Sequence, residues 1–527
     1  MVNRSTVVIS FLLVALLVIV SILFEVFLKN KYENNPFIKV PKIKVSIRLA
    51  IIASLTVVLA LPVIVPDKNM ERVYDALRFK HSPWSNAEEA NQNGALFIFL
   101  RQANLFVKTM DEPAGYSQAK MTEISNKYRD IAADLNQNRK NSDLKGQTVI
   151  YVLSESLMNP AHISSLETSK EVAPNFAKAV SENPSGTMVS YGVGGGTAVV
   201  EYMTLTGLPV AGYNSNVASP YKDVVPHANE TPSILDYFND KTMIHPFNLS
   251  FYNRKQAYKQ IGMDQTIAND GGANENPKYM GQIPGTIYTS DAEAYKDLYA
   301  EINGKNNNQS QFIQLMTMQN HTPYWGGQYE HIRQNDEKDF IYIEKHAKQD
   351  DKNELDGYVN GVHQTDNLFP GLFKKLNSYS RPITMLFYGD HWPGIFNSIP
   401  ENKNAVFKHS TEFFVWQNKA AKKANGQAKT SSEFLAPNDF SSLMLANTNT
   451  KVTPYFALQT EMMNNGIVVA NYARDSHGRM QYVDNEGHQI KYSSLTKKQK
   501  RLVDDLRLVQ YDISDGQNYL SRKKFWH

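Results

Sequence analysis

The chain has 527 residues, with 55 lysines and arginines against 52 aspartates and glutamates, and it contains no cysteine. The near balance of charge argues against a nucleic-acid partner. The lack of cysteine excludes disulfides, thiolate zinc sites, a cysteine nucleophile and a formylglycine made from cysteine, and it is ordinary for an exported protein of a Gram-positive bacterium.

Residues 1–66 are predicted to form a membrane anchor with two transmembrane helices. Residues 6–28 and residues 45–65 each carry one charged side chain, and at about 1.5 Å per residue each can cross a hydrocarbon layer of about 30 Å. A cleaved signal peptide is the alternative for the first segment, but no small-residue cleavage site follows it. The loop 29–44 has five lysines and one glutamate. It is therefore expected to be cytoplasmic, with the N-terminus and the C-terminal bulk of this two-span membrane protein extracellular.

Residues 67–144 are predicted to form a helical connector. Its densest apolar stretch, residues 95–107, is too short and too often interrupted by polar residues to span a membrane. Two interpretations stay open for this stretch. It forms either an amphipathic helix on the membrane surface or an ordinary helix packed against the outer domain.

Residues 145–450 are predicted to form an α/β domain with a mainly parallel sheet between helices, because β-rich runs alternate with helical segments. The predicted strands are Thr148–Leu153, Thr187–Ser190, Thr242–His245, Phe312–Met316, Ile383–Tyr388 and Phe413–Trp416. The predicted helices are Thr231–Asn239, Lys255–Ile261, Ala292–Asn303 and Tyr358–Leu376. Residues 451–527, with short strands and a charged helix over Thr496–Leu508, are predicted to form a small α+β subdomain.

Polar side chains follow the predicted strands where an α/β fold places its functional site. Glu155 comes just after the first strand, and Asp390 and His391 come just after the strand that ends at Gly389. Thr197 follows a glycine-rich run at the start of a helix. Two carboxylates, a hydroxyl and an imidazole would give a cation its ligands and a nucleophile to activate. Each element also has a plainer interpretation when it is considered alone. Asp390 could cap a helix, and the glycine-rich run before Thr197 could be an ordinary helix start.

Together these elements resemble the lipoteichoic acid synthase family, the phosphoglycerol transferases of the alkaline phosphatase and sulfatase superfamily. The match extends over roughly 146–446. It includes the Glu of Ser154-Glu-Ser156, the Thr that precedes Glu201-Tyr202, and the Asp and His of Tyr388-Gly-Asp-His391. The resemblance implies that Thr197 is the catalytic nucleophile and that one divalent cation, Mn²⁺ or alternatively Mg²⁺, is bound by Glu155, Thr197, Asp390 and His391.

Two further segments match the family's motifs around the substrate phosphate. The first holds His245 and the run Phe251-Tyr-Asn-Arg254, and the second is Asn320-His321. An arginine can hold phosphate oxygens with a rigid fork of donors, and a histidine can protonate a leaving oxygen. The resemblance implies a set of substrate-binding residues, namely His245, Tyr252, Arg254 and His321.

The resemblance implies a membrane-anchored extracellular phosphoglycerol transferase. Thr197 would attack phosphatidylglycerol and expel diacylglycerol, and a glycolipid, a polyglycerolphosphate or another envelope glycan would then accept the glycerophosphate. A hydrolase of the same superfamily and an inactive glycan- or lipid-binding assembly factor are the alternatives. Typical members of the family have five membrane spans, whereas two are predicted here. Because membrane spans can help to guide lipid substrates, the identity of the acceptor stays open. Asp356, His363 and Asp366 fall roughly on one face of a predicted helix. They could hold a second metal, but a helix face that is solvated or that caps a neighbouring segment is the plainer interpretation.

Overall fold

The computed structural model describes residues 86–94, a few isolated positions before residue 81, and residues 108–527 with gaps. The gaps are 164–165, 169, 229, 270–272, 305–307, 333–340, 344–351, 398, 400–404, 428–432, 522–523 and 527. Both predicted transmembrane segments, apart from Ser54, and the apolar stretch 95–107 lie outside the described residues. No helix in the described part of the chain is both long enough and apolar enough to cross a membrane.

The strands of the described residues form one large sheet and two small ones. They are β1 (Thr148–Ser154), β2 (Leu166–Thr168), β3 (Ser185–Val189), β4 (Asp240–His245), β5 (Gln265–Ala268), β6 (Gln311–Met316), β7 (Ile341–Ile343), β8 (Ile383–Gly389), β9 (Ser410–Gln417), β10 (Phe434–Leu435), β11 (Val468–Arg474), β12 (Met480–Val483) and β13 (Gln489–Lys491). The large sheet has the order β10-β3-β9-β8-β1-β6-β4-β5, and β9 alone of these runs antiparallel to its neighbours β8 and β3. The prediction of a mainly parallel sheet is confirmed.

The α-helices in the part of the chain that the structure describes agree with the prediction in part. They are α1 (Asn86–Asn93), α2 (Gln118–Asn136), α3 (Pro174–Glu182), α4 (Thr197–Thr206), α5 (Pro220–Asp223), α6 (Arg254–Ile261), α7 (Asp291–Asn303), α8 (Lys352–Asp366), α9 (Phe369–Asn377), α10 (Ala405–Lys408), α11 (Lys419–Asn425), α12 (Phe440–Asn447), α13 (Pro454–Asn464) and α14 (Lys497–Ser514).

Two helix predictions are wrong. The segment predicted as a helix over 231–239 holds only a 3₁₀ turn, Ile234–Tyr237, which a capping box at Ser233 begins. The single helix predicted over 358–376 is divided into α8 and α9. Pro370 lies in the first turn of α9, and a proline there cannot continue the preceding helix because it lacks an N–H and its ring clashes with the carbonyl group one turn earlier.

Both faces of the large sheet are covered, which explains why its central strands read as continuous apolar runs. Along β1, Val149, Tyr151 and Leu153 pack into one core cluster, while Ile150 and Val152 pack into a second cluster on the other face. The first cluster contains residues of α2, α4, α12, α13 and α14. The second contains residues of α3, α7, α8 and α9. Because helices cover both faces, a functional site on this sheet can lie only at the ends of the strands.

The helix α2 and the C-terminal segment share the core of the main domain. Residues from Thr109 to the C-terminus fall in one compact unit, and residues up to Lys108, apart from 83–85, fall in another. Tyr128 of α2 and Val503 of α14 belong to the same cluster as Tyr151 of β1. The division into segments at residues 144 and 450 stays a prediction, although the packing is continuous from Thr109 onward.

Candidate active site

Two neighbouring parallel strands end at the same edge of the sheet and place two carboxylates there. β1 and β8 pair in register as far as Ser154 and Gly389, so Glu155 and Asp390 follow side by side. A Cβ at Gly389 would lie 1.8 Å from the Leu157 carbonyl oxygen, so the turn after β1 can cross over the end of β8 only at a glycine.

Glu155, Asp390 and His391 form a buried group whose ligand atoms all lie within 4.8 Å of one another. His391 Nε2 is 3.2 Å from Asp390 Oδ2 and 3.9 Å from Glu155 Oε1. Thr197 Oγ1 lies 3.4 Å from the same ring nitrogen. The structure therefore brings together the four side chains for which the sequence predicts a shared cation.

One carboxylate oxygen of Asp390 accepts two hydrogen bonds from described residues, and the other accepts none. Its Oδ1 accepts hydrogen bonds from the backbone N–H groups of Ser156 at 2.8 Å and His391 at 2.9 Å. Its Oδ2 is buried and accepts no hydrogen bond from any described residue. Burial, followed by the charge of Glu155, raises the pKa of Asp390, although His391 and the Thr197 hydroxyl oppose the rise. A buried oxygen of this kind is the position that a bound cation would satisfy.

The imidazole of His391 is held with one nitrogen directed away from the carboxylates. Its Nδ1 lies 2.9 Å from the Trp392 carbonyl oxygen, so Nδ1 carries the proton and Nε2 keeps its lone pair for the site. Burial lowers the pKa of His391, but Asp390 and then Glu155 raise it by more. The donor set of two carboxylates, a hydroxyl and an imidazole fits Mn²⁺ or Mg²⁺ better than a metal that prefers thiolates.

A glycine-rich loop sets the position of Thr197, the first residue of α4. Gly196 precedes it at φ 101°, a conformation that favours glycine, and a Cβ there would stand 2.8 Å from the Tyr191 ring. The loop also packs against the segment after His391, because the Gly194 N–H donates to the Trp392 carbonyl at 2.7 Å. The nucleophile candidate and the His391 loop are thus held by direct backbone contact.

Arg254, the first residue of α6, is buried and paired with a residue of the Thr197 helix. Its Nη2 lies 2.6 Å from Glu201 Oε1, and its Nε donates to the same oxygen at 3.1 Å. Tyr258 donates to the other oxygen of Glu201 at 2.5 Å. Burial lowers the pKa of Arg254, but the Glu201 charge raises it by more. Glu201 was not predicted as a site residue, although its four-residue spacing from Thr197 places both on one helix face.

The other predicted substrate-binding residues line the same cleft as Thr197 and Arg254. Neither ring nitrogen of buried His245 forms a hydrogen bond with a described residue. Burial, then the charges of Arg254 and His321, lowers its pKa, and a backbone contact with Met316 opposes this only weakly. His321 Nδ1 lies 2.7 Å from the Thr322 carbonyl oxygen, which leaves Nε2 for a substrate. Tyr252, at φ 61°, stacks under Arg254 with the guanidinium carbon 4.9 Å from its ring centre.

This cleft has a volume of about 780 Å³, within the range of a small-molecule site. Its lining includes the site residues Glu155, Thr197, His245, Tyr252, Arg254, His321 and His391, while Asp390 lies behind them. The chemistry that the arrangement can carry is attack by a hydroxyl on a phosphorus centre held between a cation and an arginine.

The three residues considered for a second metal make separate structural contacts. Asp366 accepts the N–H of Phe176 and so caps the start of α3, and His363 Nδ1 lies 2.9 Å from the Val172 carbonyl oxygen. Asp356 accepts a hydrogen bond from the Gly327 N–H. Among the described residues, the group of Glu155, Asp390 and His391 is the one cluster that could hold a metal ion.

The fold and the site define an α/β enzyme of the alkaline phosphatase and sulfatase superfamily, a transferase or a hydrolase. The family model described as Sulfatase matches residues 147–449, and the chain belongs to this family. The solved structure of Streptococcus pyogenes phosphoglycerol transferase GacH in complex with sn-glycerol-1-phosphate is similar, with 29% identity and a TM-score of 0.66, and the match covers 79% of this chain and 99% of that one.

Curated relatives match part of the chain and part of their own length. Lipoteichoic acid synthase 1 of Bacillus subtilis (strain 168) is 29% identical over 184 residues, which cover 34% of this chain and 25% of that protein. A Rhizobium meliloti (strain 1021) protein named for cyclic beta-1,2-glucan modification is 26% identical over 375 residues, 67% of this chain and 53% of that protein. The chain thus spans about half the length of the latter relative. The predicted resemblance to lipoteichoic acid synthases and related phosphoglycerol transferases is confirmed.

Proposed function

We propose that this chain is a membrane-anchored extracellular phosphoglycerol transferase that moves glycerophosphate from phosphatidylglycerol to an envelope acceptor. The observation that carries the proposal is the placement of a threonine hydroxyl, 3.4 Å from His391 Nε2 and beside two buried carboxylates, in one cleft with a buried arginine. The similarity to GacH, whose solved structure contains sn-glycerol-1-phosphate, supports glycerophosphate as the transferred group.

Glu155, Thr197, Asp390 and His391 would hold one divalent cation, Mn²⁺ or Mg²⁺. When bound, such a cation lowers the pKa of the threonine hydroxyl and offsets the charge of the phosphodiester. The residues are suited to hold it, since Asp390 Oδ2 is buried without a hydrogen bond from a described residue and the His391 tautomer directs a lone pair to the site.

The remaining residues of the cleft supply binding and proton transfer. Arg254, held by Glu201, grips the phosphate oxygens while Thr197 Oγ1 forms a bond to phosphorus. The bond from phosphorus to the diacylglycerol oxygen breaks, and that oxygen takes up the proton that the Thr197 hydroxyl gives up, with His321 Nε2 as the candidate group that accepts this proton and passes it on. Glycerophosphate then stays on Thr197 until the hydroxyl of an acceptor displaces it.

The proposed location follows from the predicted N-terminal spans, 6–28 and 45–65. With the basic loop between them in the cytoplasm, the domain that contains Thr197 lies outside the cell beside the outer leaflet. A lipid donor and a glycolipid, polyglycerolphosphate or envelope-glycan acceptor are both within reach from that position.

The test uses the full-length protein reconstituted in phosphatidylglycerol vesicles with Mn²⁺. The wild type is expected to release diacylglycerol and to carry a glycerophosphate adduct on Thr197 detectable by mass spectrometry. Thr197→Ala is expected to do neither, and Thr197→Ser, which keeps a hydroxyl, is expected to retain the adduct. EDTA is expected to abolish release, and Mn²⁺ to restore it.

Other outcomes distinguish the alternatives. Free glycerophosphate that accumulates at the expense of transfer, even with a polyglycerolphosphate or glycan acceptor present, would favour a hydrolase. A wild-type protein that binds a glycan yet releases no diacylglycerol would overturn the transferase proposal in favour of an assembly factor.

A further inference from the structure

One side of the cleft is formed by a continuous series of aromatic rings, which we call the aromatic wall. It consists of Phe247, Phe251 and Tyr288. The ring centre of Phe247 is 5.8 Å from that of Phe251 and 5.8 Å from that of Tyr288. The wall joins the predicted substrate-binding residues at both ends, because Phe247 lies 6.1 Å from His245 and Tyr288 lies 5.1 Å from His321. The mechanism proposed above uses none of the three rings.

The rings of the wall are only partly covered by the protein. Phe247, Phe251 and Tyr288 are half-buried and line the cleft, in contrast to the fully buried tyrosines of the core. Tyr288 is held in place by its hydroxyl, which donates to the Thr322 carbonyl oxygen at 2.8 Å. The wall therefore presents apolar ring surface that a ligand can cover without moving the protein.

The charge of the cleft opposes a polyanionic ligand. Of the described residues that line it, Arg254 is the one lysine or arginine, and the buried Glu201 carboxylate compensates its charge. Glu354 adds a carboxylate to the lining, outside the metal group. A polyglycerolphosphate chain carries a negative charge on each repeat, and its second and third phosphates would find no cation among these lining residues. A lining that combines aromatic rings with a carboxylate instead suits a ligand that has hydroxyl groups on its edge and C–H groups on its face.

We propose that the aromatic wall is the acceptor subsite and that it binds a sugar ring of a neutral glycan. This inference rests on the proposed transferase function and specifies its acceptor. The apolar face of the sugar packs on Phe247 and Tyr288, and one sugar hydroxyl faces the glycerophosphate on Thr197. The sugar oxygen forms the new bond to phosphorus, the bond from phosphorus to Thr197 Oγ1 breaks, and the hydroxyl proton restores the threonine.

This inference is tested by measuring how much of the adduct on Thr197 is transferred to an acceptor and how much is released as free glycerophosphate. Full-length protein in phosphatidylglycerol vesicles with Mn²⁺ is given either a panel of neutral hexose and N-acetylhexosamine oligosaccharides or a synthetic glycerophosphate trimer. The ratio of modified acceptor to free glycerophosphate is measured by mass spectrometry. Because this ratio is set after the adduct has formed, it reports on the acceptor and is independent of the rate of the first step.

We expect members of the neutral panel to be modified in preference to the trimer. Phe247→Ala and Tyr288→Ala are each expected to lower the ratio about fivefold to tenfold, the size of one lost aromatic contact. Tyr288→Phe keeps the ring but loses the hydrogen bond to the Thr322 carbonyl oxygen, and it is expected to lower the ratio less than Tyr288→Ala does. Tyr279→Ala is the matched control, because Tyr279 is 39% exposed and lies outside the cleft lining.

Preference for the trimer, an unchanged ratio in both alanine variants, or hydrolysis without transfer to any neutral sugar would each overturn the inference. In all three cases the adduct on Thr197 still forms. Absence of the adduct in the wild type would instead show that the proposed function itself has failed.

Discussion

At the scale of single residues, the buried pair of Glu201 and Arg254 links the phosphate-binding side of the cleft to the helix of the nucleophile. Glu201→Gln leaves the arginine charge buried without a compensating charge, which is costly in a medium of low polarity. We expect the free energy of unfolding to fall by about 3 kcal/mol and diacylglycerol release to fall as well. Denaturant unfolding followed by tryptophan fluorescence measures the first effect.

The matched control for this substitution is an exposed ion pair. Glu293 lies 2.5 Å from Lys296, with side chains 21% and 52% exposed, respectively. Glu293→Gln is expected to cost less than about 1 kcal/mol, because water screens such a pair. Equal losses in the two variants would contradict the role assigned to burial.

A second single residue, Asp439, is expected to make the free energy of unfolding depend on pH. Burial raises its pKa to about 7, although the Ala436 N–H opposes the rise, against about 3.9 in the unfolded chain. The native state therefore holds an extra proton between about pH 4 and pH 7. The stability that this proton contributes is complete below the unfolded pKa and is lost as pH rises through the folded pKa. Asp439→Asn is expected to flatten the fall in unfolding free energy between about pH 5 and pH 7.

Asp475 is the control for that measurement. Hydrogen bonds from backbone N–H groups, that of Arg479 first, lower its pKa to about 2. It is therefore ionised in both states over the tested range, and Asp475→Asn is expected to leave the slope unchanged. An unaltered slope in Asp439→Asn would show that this carboxyl does not titrate with the predicted pKa.

At the scale of elements, the glycine-rich loop and α4 act as one unit that places Thr197. Gly196→Ala introduces a Cβ 2.8 Å from the Tyr191 ring at a residue with φ 101°. The start of α4 must then shift, and a nucleophile moved by about 1 Å can lose about a hundredfold in rate. We expect adduct formation to fall by at least about tenfold, with a stability loss of about 1–3 kcal/mol.

Gly426 offers a comparison that separates strain from position. It has φ 86°, a Cβ added there would meet no other atom within 4 Å, and it ends α11 away from the cleft lining. At φ 86° and ψ 173° the backbone conformation is one that glycine adopts almost exclusively, so Gly426→Ala is expected to cost about 1–3 kcal/mol in stability without changing the rate of adduct formation. A similar loss of rate in both variants would contradict the positional argument.

At the scale of the whole molecule, the C-terminal segment is part of the main core. Phe456 of α13 and Leu506 of α14 belong to the same buried cluster as Tyr202 of α4. Asp515 also accepts hydrogen bonds from the backbone N–H groups of Thr109 and Met110, which joins the two ends of this unit. A chain of residues 109–450 is therefore expected to lose cooperative unfolding and to bind a hydrophobic dye.

The chain of residues 109–527 is the control for this truncation. It keeps the whole cluster and is expected to unfold in a single transition in calorimetry. Cooperative unfolding of 109–450 would show that residues 451–527 form a subdomain that folds apart from the rest.

The features that depend on local pattern can be predicted from the sequence alone. Apolar runs such as Ile383–Tyr388 predict buried strands because a strand covered on both faces must be apolar throughout. The motif residues Glu155, Thr197, Asp390 and His391 were predicted because each directly follows a strand or a glycine-rich turn, and parallel strands end at a common edge. The ends of helices were predicted less accurately, as the division of the predicted helix 358–376 at Pro370 shows.

Contacts between side chains that are distant along the chain could not be predicted, because they depend on the packing of the complete fold. Glu201 and Arg254 are 53 positions apart, and no local pattern encodes that their buried charges compensate one another. The aromatic wall likewise joins residues after β4 to Tyr288 before α7, which are brought together by the order of strands in the sheet. Pairwise contacts across a fold depend on packing, and packing is a property of the whole chain rather than of any segment.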